Sequence, residues 1–214
     1  MKCLIISGGK FERVKLQEKY DLIIACDKGY LHARKLKINP DIIIGDFDSV
    51  KMPKMNANII AVDPVKDDTD TSLGIKYALR NDYKQIDIIC ALGGRLDHSY
   101  ANISLMKYIV EHGGTGRILS NDAIIIVAGK GTIRIKNEKS NATRIVHRNE
   151  KKFLSIFSLS DNSKIEYIKG TKYDIKNKVL NNGFPLGVSN EFKKQYAEIK
   201  INKGIVLIVQ VRGK

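Results

Sequence analysis

Aspartates follow four of the apolar segments in the first half of this 214-residue sequence, and the four acidic groups begin at Asp27, Asp46, Asp63 and Asp97. In an open α/β sheet, ligands bind beyond the carboxyl ends of the strands, so these groups are expected to meet at one edge. Carboxylates held together repel one another unless a cation lies among them, and Mg²⁺ is the cation that carboxylates and phosphates share. With Arg95 nearby, the pattern predicts phosphoryl or pyrophosphoryl transfer, which depends on positioning and charge neutralisation.

A single aspartate in such a position is weak evidence, because Asp is also a common helix N-cap and turn residue. Asp63 and Asp68 fit that simpler role. Four groups, each directly beyond an apolar segment, are not accounted for by turns alone. The sequence has no G-x-x-x-x-G-K-[ST] motif, which excludes a P-loop kinase.

Short strands and two helices are predicted to position these groups. Apolar segments predict strands at 1–7, 22–26, 41–44, 58–62 and 85–92. Helical periodicity predicts helices at 69–80 and 99–112, the first capped by Asp68 or Thr69. Continuously apolar strands that alternate with helices are typical of a parallel sheet covered on both faces. We therefore expect an N-terminal doubly wound, Rossmann-like α/β domain.

The helical period disappears after about residue 120, and the remainder of the chain predicts an all-β domain, which we expect to be a β-sandwich. Strands are predicted at 123–128, 132–136, 153–159, 164–168, 173–176, 196–201 and 205–211. The polar segment 137–150 is expected to form an exposed loop or hairpin tip. We place the two domains at residues 1–125 and 126–214.

The formal net charge of +14 raises nucleic-acid binding as an alternative. The lysines are scattered over turns and helix faces, and they do not interleave with aromatic residues as in an RNA-binding sheet. We therefore expect no nucleic-acid partner, although the positive field would attract a polyanion such as ATP.

Membrane and disulfide-rich classes are also disfavoured. No apolar run approaches the ~20 residues of a membrane span, and the N-terminus predicts a strand rather than a signal peptide. The three cysteines, Cys3, Cys26 and Cys90, are odd in number and widely spaced, which favours buried free thiols in a reducing compartment over disulfides or a zinc site. We expect a cytoplasmic protein.

The acidic groups resemble, in order and spacing, the signature segments of the thiamine pyrophosphokinase family. The matching segments are Asp27-Lys28-Gly29, Gly45-Asp46-Phe47-Asp48-Ser49, Asp67-Asp68-Thr69-Asp70 and Gly93-Gly94-Arg95-Leu96-Asp97-His98 with Asn102. The similarity continues through Gly170-Thr171-Lys172-Tyr173 and Gly187-Val188-Ser189-Asn190-Glu191, and it spans residues 1 to 214.

This resemblance implies a homodimer with active sites between the α/β domain of one subunit and the β domain of the other. An acidic metal and phosphate site would consist of Asp46, Asp48, Asp70 and Asp97. Asp27 and Arg95 would lie beside that site, and Asp67 and Thr69 would help to hold ATP. Tyr173, Ser189 and Asn190 would meet the thiamine rings. Family members often carry Trp at the position of Tyr173, and this chain contains no Trp, but Tyr can also stack on a pyrimidine.

The implied reaction moves the β,γ-pyrophosphoryl group of ATP onto the thiamine hydroxyl, with Mg²⁺ as cofactor and AMP as the leaving group. Asp97 could accept the hydroxyl proton, but the sequence does not separate the base from the metal ligands. A pyrophosphokinase for another alcohol, such as a pterin, would retain the acidic groups and lose the Ser-Asn and Tyr173 features. A non-catalytic basic nucleotide- or nucleic-acid-binding protein gives no reason for the acidic groups.

Overall fold

The computed structural model describes residues 1–46, 57–61, 68–137 and 152–212. The chain forms two compact units, Met1–Ser120 and Asn121–Lys214. Each unit has secondary structure of its own kind. Four of the features predicted above lie outside the described residues, namely Asp48, Asp63, Asp67 and nearly all of the polar segment 137–150.

Unit 1 is a parallel sheet with three helices. Its strands are β1 (Lys2–Ile6), β2 (Leu22–Cys26), β3 (Ile42–Gly45), β4 (Asn58–Ala61), β5 (Gln85–Ile89) and β6 (Thr115–Leu119). Its helices are α1 (Gly29–Leu36), α2 (Asp70–Arg80) and α3 (Leu96–Glu111). The strands lie in the order β6-β5-β1-β2-β3-β4, and every neighbouring pair is parallel. The predicted parallel α/β architecture is confirmed.

The apolar strands of unit 1 form its core. The side chains of β1 from Cys3 to Ile6 are completely buried, as are those of Ile43 in β3 and Ile88 in β5. Burial on both faces explains why these strands read as continuous apolar runs. The carboxyl ends of β1, β2, β3 and β5 therefore lie along one edge of a rigid sheet.

Unit 2 is entirely β within its described residues. Its strands are β7 (Ala123–Ala128), β8 (Gly131–Lys136), β9 (Lys152–Ser158), β10 (Asn162–Lys169), β11 (Ile175–Asn181), β12 (Gly187–Glu191), β13 (Tyr196–Lys203) and β14 (Val206–Arg212). Two antiparallel groups have the orders β12-β9-β14-β7 and β11-β10-β13-β8. The predicted change from α/β to antiparallel β structure is confirmed.

Three elements were missing from the sequence prediction: α1, β6 and β12. Helix α1 has only eight residues, no side-chain N-cap, and a buried face that includes Gly29 and His32 rather than an apolar stripe. His32 is buried in this helix. No residue of strand β12 is buried, so it lacks the alternation of apolar and polar residues that identifies a strand with one face in a core.

Several predicted boundaries were wrong because backbone turns interrupt the hydrophobic pattern. The strand predicted at 85–92 ends at Ile89, since Cys90 has a left-handed φ of 54° that turns the chain away. The strand predicted to begin at Tyr173 begins at Ile175, and the helix predicted from residue 99 begins at Leu96. Apolar composition does not reveal such turns.

None of the described helices is long and apolar enough to span a membrane. All three cysteines are free and buried, as predicted. Burial, reinforced by the negative charges of Asp41 and Asp87, raises the pKa of the Cys3 thiol to about 12. This thiol therefore stays protonated and acts as a small apolar core residue.

An ion pair between a buried aspartate and a half-buried arginine joins β5 and β6. Asp87, only 5% exposed, lies opposite Arg117 in the parallel register and accepts hydrogen bonds from its Nε and Nη2 at 2.7 and 2.6 Å. Tyr20 Oη donates to the same carboxylate at 2.8 Å, and Arg117 Nη2 also donates to Glu18 at 2.9 Å. The pair raises the pKa of Arg117, and hydrogen bonds from Lys2 and Arg117 lower the pKa of Glu18. The segment between β1 and β2, which has no helix, is thus attached to the sheet through polar contacts.

We predict that Arg117→Met destabilises the protein by about 3 kcal/mol, because it leaves the Asp87 carboxylate buried without its partner. Urea unfolding at neutral pH measures the loss. The control is Arg134→Met, which removes an ion pair with Glu198 from a side chain that is 74% exposed and should cost much less, because exposed ion pairs contribute little to stability. Equal losses in the two variants would contradict a structural role for the Asp87 pair.

Candidate active site

Three aspartates from different parts of unit 1 meet at the carboxyl edge of the sheet. One carboxylate oxygen from each of Asp27, Asp46 and Asp70 lies within 4.8 Å of the other two, and all three residues are half-buried. Asp27 follows β2, Asp46 follows β3, and Asp70 opens α2. Of the four predicted metal ligands, Asp46 and Asp70 therefore lie together in the structure. Asp27, which was expected beside the metal site, is the third member of the group.

The backbone around Asp27 is tightly constrained. Asp27 has a left-handed φ of 46°, and its N–H donates to Ile44 O at 2.8 Å. Two residues later, a Cβ on Gly29 would lie 1.9 Å from Ile6 O, so only glycine allows α1 to begin against the end of β1. Asp is among the few non-glycine residues that adopt a left-handed φ readily. This geometry turns the Asp27 carboxylate toward Asp46 and Asp70.

The Asp27 side chain has a buried oxygen without a partner. No hydrogen-bond donor among the described residues reaches Asp27 Oδ1. A buried carboxylate oxygen is costly to leave unsatisfied. A bound cation would satisfy it, and a site made of carboxylate oxygens alone suits Mg²⁺ rather than a softer metal.

The three carboxylates line a cavity of about 600 Å³ in unit 1. Its wall is formed by the segments that follow β1, β2, β3 and β5 and by the beginnings of α2 and α3: Ser7, Gly8, Gly9, Lys10, Cys26, Asp27, Lys28, Asp46, Asp68, Thr69, Asp70, Thr71, Gly93, Gly94, Arg95, His98, Ala101 and Asn102. The volume is large enough for a small-molecule ligand. Acidic and basic side chains share the wall, which suits a ligand that carries phosphates and a metal ion together.

Arg95 and Asp97 form an exposed ion pair at the start of α3. Arg95 Nε donates to Asp97 Oδ1 at 3.1 Å, and Arg95 Nη2 donates to Asp97 Oδ2. The hydrogen bonds from Arg95 lower the pKa of Asp97 to about 2. Arg95 lines the cavity, whereas Asp97 is absent from the described lining residues and from the group of three carboxylates.

The residues that start α2 have structural partners. Thr69 is the N-cap, and its hydroxyl accepts a hydrogen bond from Ser72 N at 3.2 Å. Asp68 accepts from Ser72 Oγ and from Lys76 Nζ, each at 2.8 Å. These contacts hold the first turn of α2, and with it Asp70, at the cavity.

The predicted thiamine-contacting residues lie in unit 2. The Tyr173 ring is 61% exposed, with Lys172 Nζ 5.4 Å from its centroid. The Asn190 side-chain amide binds the Tyr173 backbone twice: Oδ1 accepts from Tyr173 N at 3.0 Å, and Nδ2 donates to Tyr173 O at 2.8 Å. Ser189, exposed with a φ of 59°, donates its N–H to Ser155 Oγ at 3.0 Å. Tyr173 and Asn190 are thus adjacent, and the tyrosine ring is not packed in a core.

Comparison with known proteins identifies the family. A family model described as "Thiamin pyrophosphokinase, catalytic domain" matches residues 14–115, and one described as "Thiamin pyrophosphokinase, vitamin B1 binding domain" matches residues 132–206. The chain belongs to the thiamin pyrophosphokinase family. The catalytic-domain match includes all three carboxylates of the cluster, and the vitamin B1 binding-domain match includes Tyr173, Ser189 and Asn190.

Individual relatives agree with this family over nearly the whole chain. The thiamine pyrophosphokinase of Bacillus subtilis (strain 168) is 25% identical over 199 residues, which are 90% of this chain and 88% of that protein. The crystal structure of thiamine pyrophosphokinase from Bacillus subtilis has a TM-score of 0.83 at 24% identity and covers 99% of both chains. The thiamin pyrophosphokinase family protein from Enterococcus faecalis has a TM-score of 0.83 at 25% identity and covers 100% of both chains.

Some residues of the candidate site of this thiamin pyrophosphokinase family member were not found from the sequence. Lys10 and Thr71 line the cavity, and Asp27 is a member of the carboxylate cluster rather than a neighbour of it. The position of Asp27 directly after β2 was a usable signal. Lys10 was counted among the scattered surface lysines, since only its contact with the Gly93 turn places it at the site.

We predict that Asp27→Asn lowers the affinity for Mn²⁺ or Mg²⁺ at least tenfold, a loss of about 1.4 kcal/mol, while leaving the metal-free protein at least as stable. Asn keeps the shape and tolerates a left-handed φ, but it removes one charge from the cluster. Isothermal titration of metal-free protein with Mn²⁺ measures the affinity, and calorimetric melting with and without the ion measures the stabilisation.

The control for this prediction is Asp82→Asn. Asp82 also has a left-handed φ, of 62°, but its side chain is 83% exposed and lies at the other end of α2. This variant should bind Mn²⁺ as the unmodified protein does. Wild-type affinity in Asp27→Asn would remove Asp27 from the set of metal ligands.

Proposed function

We propose that this chain transfers the β,γ-pyrophosphoryl group of ATP to the hydroxyethyl oxygen of thiamine at the cavity of unit 1. Its thiamine pyrophosphokinase activity, a diphosphotransferase activity, follows from the family. In the reaction, a bond forms between the thiamine oxygen and the β-phosphorus, and the bond from the β-phosphorus to the bridging oxygen of AMP breaks. One observation supports this location of the reaction: the three carboxylates lie on the wall of a cavity that Arg95 and Lys10 also line.

The residues of the cluster would hold Mg²⁺. Support comes from the spacing of Asp27, Asp46 and Asp70 and from the unpartnered oxygen of Asp27. When bound, Mg²⁺ would neutralise charge on the phosphates of ATP and leave ATP reactive at its β-phosphorus. Asp48 remains a proposed ligand as well, because it lies two residues after Asp46 in the sequence.

Basic side chains on the cavity wall would bind the phosphates of ATP. Arg95 suits this role because its guanidinium can bind two phosphate oxygens at once. Asp97 was expected as a metal ligand or a base, but a carboxylate with a pKa near 2 is a weak proton acceptor at neutral pH. We propose that Asp97 orients Arg95 before ATP binds and remains available to the metal once Arg95 moves to a phosphate. Thr69 and Asp67, at and before the start of α2, would complete the ATP site.

Unit 2 would supply the thiamine site. Tyr173 offers an exposed ring, and Asn190 holds the backbone on which that ring is carried. The Ser189 hydroxyl would form a hydrogen bond with the ligand. We propose that residues 1–125 bind ATP and the metal and that residues 126–214 bind thiamine. We further propose that the active form is a homodimer, in which each active site combines residues 1–125 of one subunit with residues 126–214 of the other. The two family matches support this division of roles.

Contacts within each unit support the finer fold description, a doubly wound Rossmann-like domain followed by a β-sandwich. In unit 1, Gly74 of α2 packs near Ile24 of β2, while Tyr30 of α1 packs on the adjacent Ala25, and adjacent strand residues face opposite sides of a sheet. In unit 2, one core cluster includes side chains from both antiparallel groups, among them Ile156 of β9 and Ile199 of β13, as in a sandwich.

We place this reaction in the cytoplasm, without a nucleic-acid or membrane partner. The three buried free cysteines suit a reducing compartment. No observation favours a pterin alcohol as acceptor or a non-catalytic nucleotide-binding role.

The direct test is incubation with ATP, Mg²⁺ and thiamine, followed by chromatographic detection of AMP and thiamine diphosphate. We expect both products in equal amounts. Asp46→Asn and Asp70→Asn should each reduce turnover by at least about 100-fold without loss of the fold, because each removes a charge that stabilises the transition state. Asp82→Asn should leave turnover unchanged. Release of AMP with a pterin alcohol but not with thiamine would overturn the proposed acceptor.

We predict that Tyr173→Ala raises the KM for thiamine about tenfold and leaves the KM for ATP unchanged, since stacking and cation–π contacts with thiamine contribute about 0.5–2 kcal/mol. Tyr173→Phe, which keeps the ring, should remain near the original KM. Because the ring is exposed, the melting temperature should not change. A lower melting temperature with an unchanged thiamine KM would instead assign Tyr173 to packing.

A mixture of Tyr173→Ala and Asp70→Asn subunits tests whether the sites are shared. In a shared-site dimer, each heterodimer has one intact site, so an equal mixture should recover about one quarter of the intact-site activity at low thiamine. Subunit exchange before the assay, checked by sedimentation, is required. If each site lies within one subunit, or if the active species sediments as a monomer, mixing restores nothing.

A further inference from the structure

Ser7, at the carboxyl end of β1, is bound to three different elements of unit 1. Its N–H donates to Ile89 O of β5 at 3.0 Å. Its carbonyl oxygen accepts from His32 Nδ1 of α1 at 3.1 Å, and its hydroxyl pairs with Thr71 Oγ1 of α2 at 2.9 Å. All of Ser7, His32 and Thr71 are buried. One residue therefore connects the sheet to two helices.

These two helices are the ones associated with the carboxylate cluster. Helix α1 begins two residues after Asp27, and α2 begins with Asp70, the neighbour of Thr71. A shift of either helix would change the distance between the Asp27 and Asp70 carboxylates. The connection through Ser7 opposes such a shift, because breaking it would leave buried hydrogen-bonding groups without partners, at a cost of about 1–3 kcal/mol each.

We propose that Ser7 and Thr71 are positioning residues, whose hydroxyl–hydroxyl bond holds Asp70 at the separation from Asp27 that cation binding requires. The inference rests on the proposed metal site and adds two residues that act through Asp70 rather than on the substrate. His32 fixes the other side of Ser7. Burial lowers the pKa of His32, so the ring is neutral at neutral pH and its Nδ1–H donates to Ser7 O.

The hydroxyl and the methyl group of Thr71 can be separated by substitution. Thr71→Val keeps the shape and removes the hydroxyl, whereas Thr71→Ser keeps the hydroxyl and removes a methyl group. If the hydrogen bond positions Asp70, Thr71→Val should weaken Mn²⁺ binding about tenfold, the loss typical of groups that orient metal ligands. Thr71→Ser should restore most of the affinity. A role in packing alone predicts no such difference in metal affinity.

The experiment is titration of metal-free protein with Mn²⁺, with free Mn²⁺ counted by electron paramagnetic resonance. Ser7→Ala should lose as much affinity as Thr71→Val, and the double variant should lose no more than either single variant, because all three remove one bond. Steady-state kinetics should show a lower kcat with an unchanged thiamine KM in each. Additive losses in the double variant would overturn the proposal.

A matched control lies in unit 2. Ser158 Oγ and Ser163 Oγ form another buried hydroxyl pair, at 2.7 Å. Ser158→Ala should lower the melting temperature as Ser7→Ala does but keep the Mn²⁺ affinity. If Ser158→Ala weakens Mn²⁺ binding equally, or if Thr71→Val binds Mn²⁺ as the unmodified protein does, the positioning role is wrong and the metal site stands. If the unmodified protein binds no Mn²⁺, the proposed metal site fails and this inference fails with it.

Discussion

Mutual repulsion among the carboxylates of Asp27, Asp46 and Asp70 is the constraint around which unit 1 is organised. Like charges within 4.8 Å of one another would separate if their backbones were free to move. The backbones are not free, because β2 and β3 pair in parallel register and Asp27 N–H is bound to Ile44 O. Asp70 gains from its place in the first turn of α2, where the helix dipole favours a negative charge.

Unit 1 has two aspartates with buried carboxylate oxygens and opposite hydrogen bonding, Asp87 and Asp27. Asp87 has its carboxylate fully engaged by Arg117 and Tyr20, and this arrangement holds strands and a loop together. Asp27 has one buried oxygen that no described donor reaches. A satisfied carboxylate has little to offer a ligand, whereas an unsatisfied one favours a cation. The two aspartates therefore differ in hydrogen bonding: Asp87 is fully engaged within the fold, whereas Asp27 keeps one buried oxygen that no described donor reaches.

In unit 2, polar contacts fix the backbone of a residue whose aromatic ring is exposed, Tyr173. Asn190 engages both its amide groups with the Tyr173 backbone, and the tyrosine ring is left in solvent. A large exposed aromatic side chain on a fixed backbone loses little entropy when it binds a flat ligand. The same geometry explains why Asn190, expected to contact a ligand, has a second task in holding the turn that precedes β11.

The sequence by itself determined the parallel α/β unit, the antiparallel β unit and most strands, because strands that are buried on both faces appear as continuous apolar runs. It also determined the acidic groups at the strand ends, because parallel strands end at one edge of the sheet. The family followed from motif spacing along the chain. Tertiary structure decided which aspartates meet. Asp27 joins the cluster through a left-handed φ and the close approach at Gly29, and Asp97 pairs with Arg95. Ser7 and Thr71 are 64 residues apart, and such contacts between distant residues leave no periodic signal in a sequence.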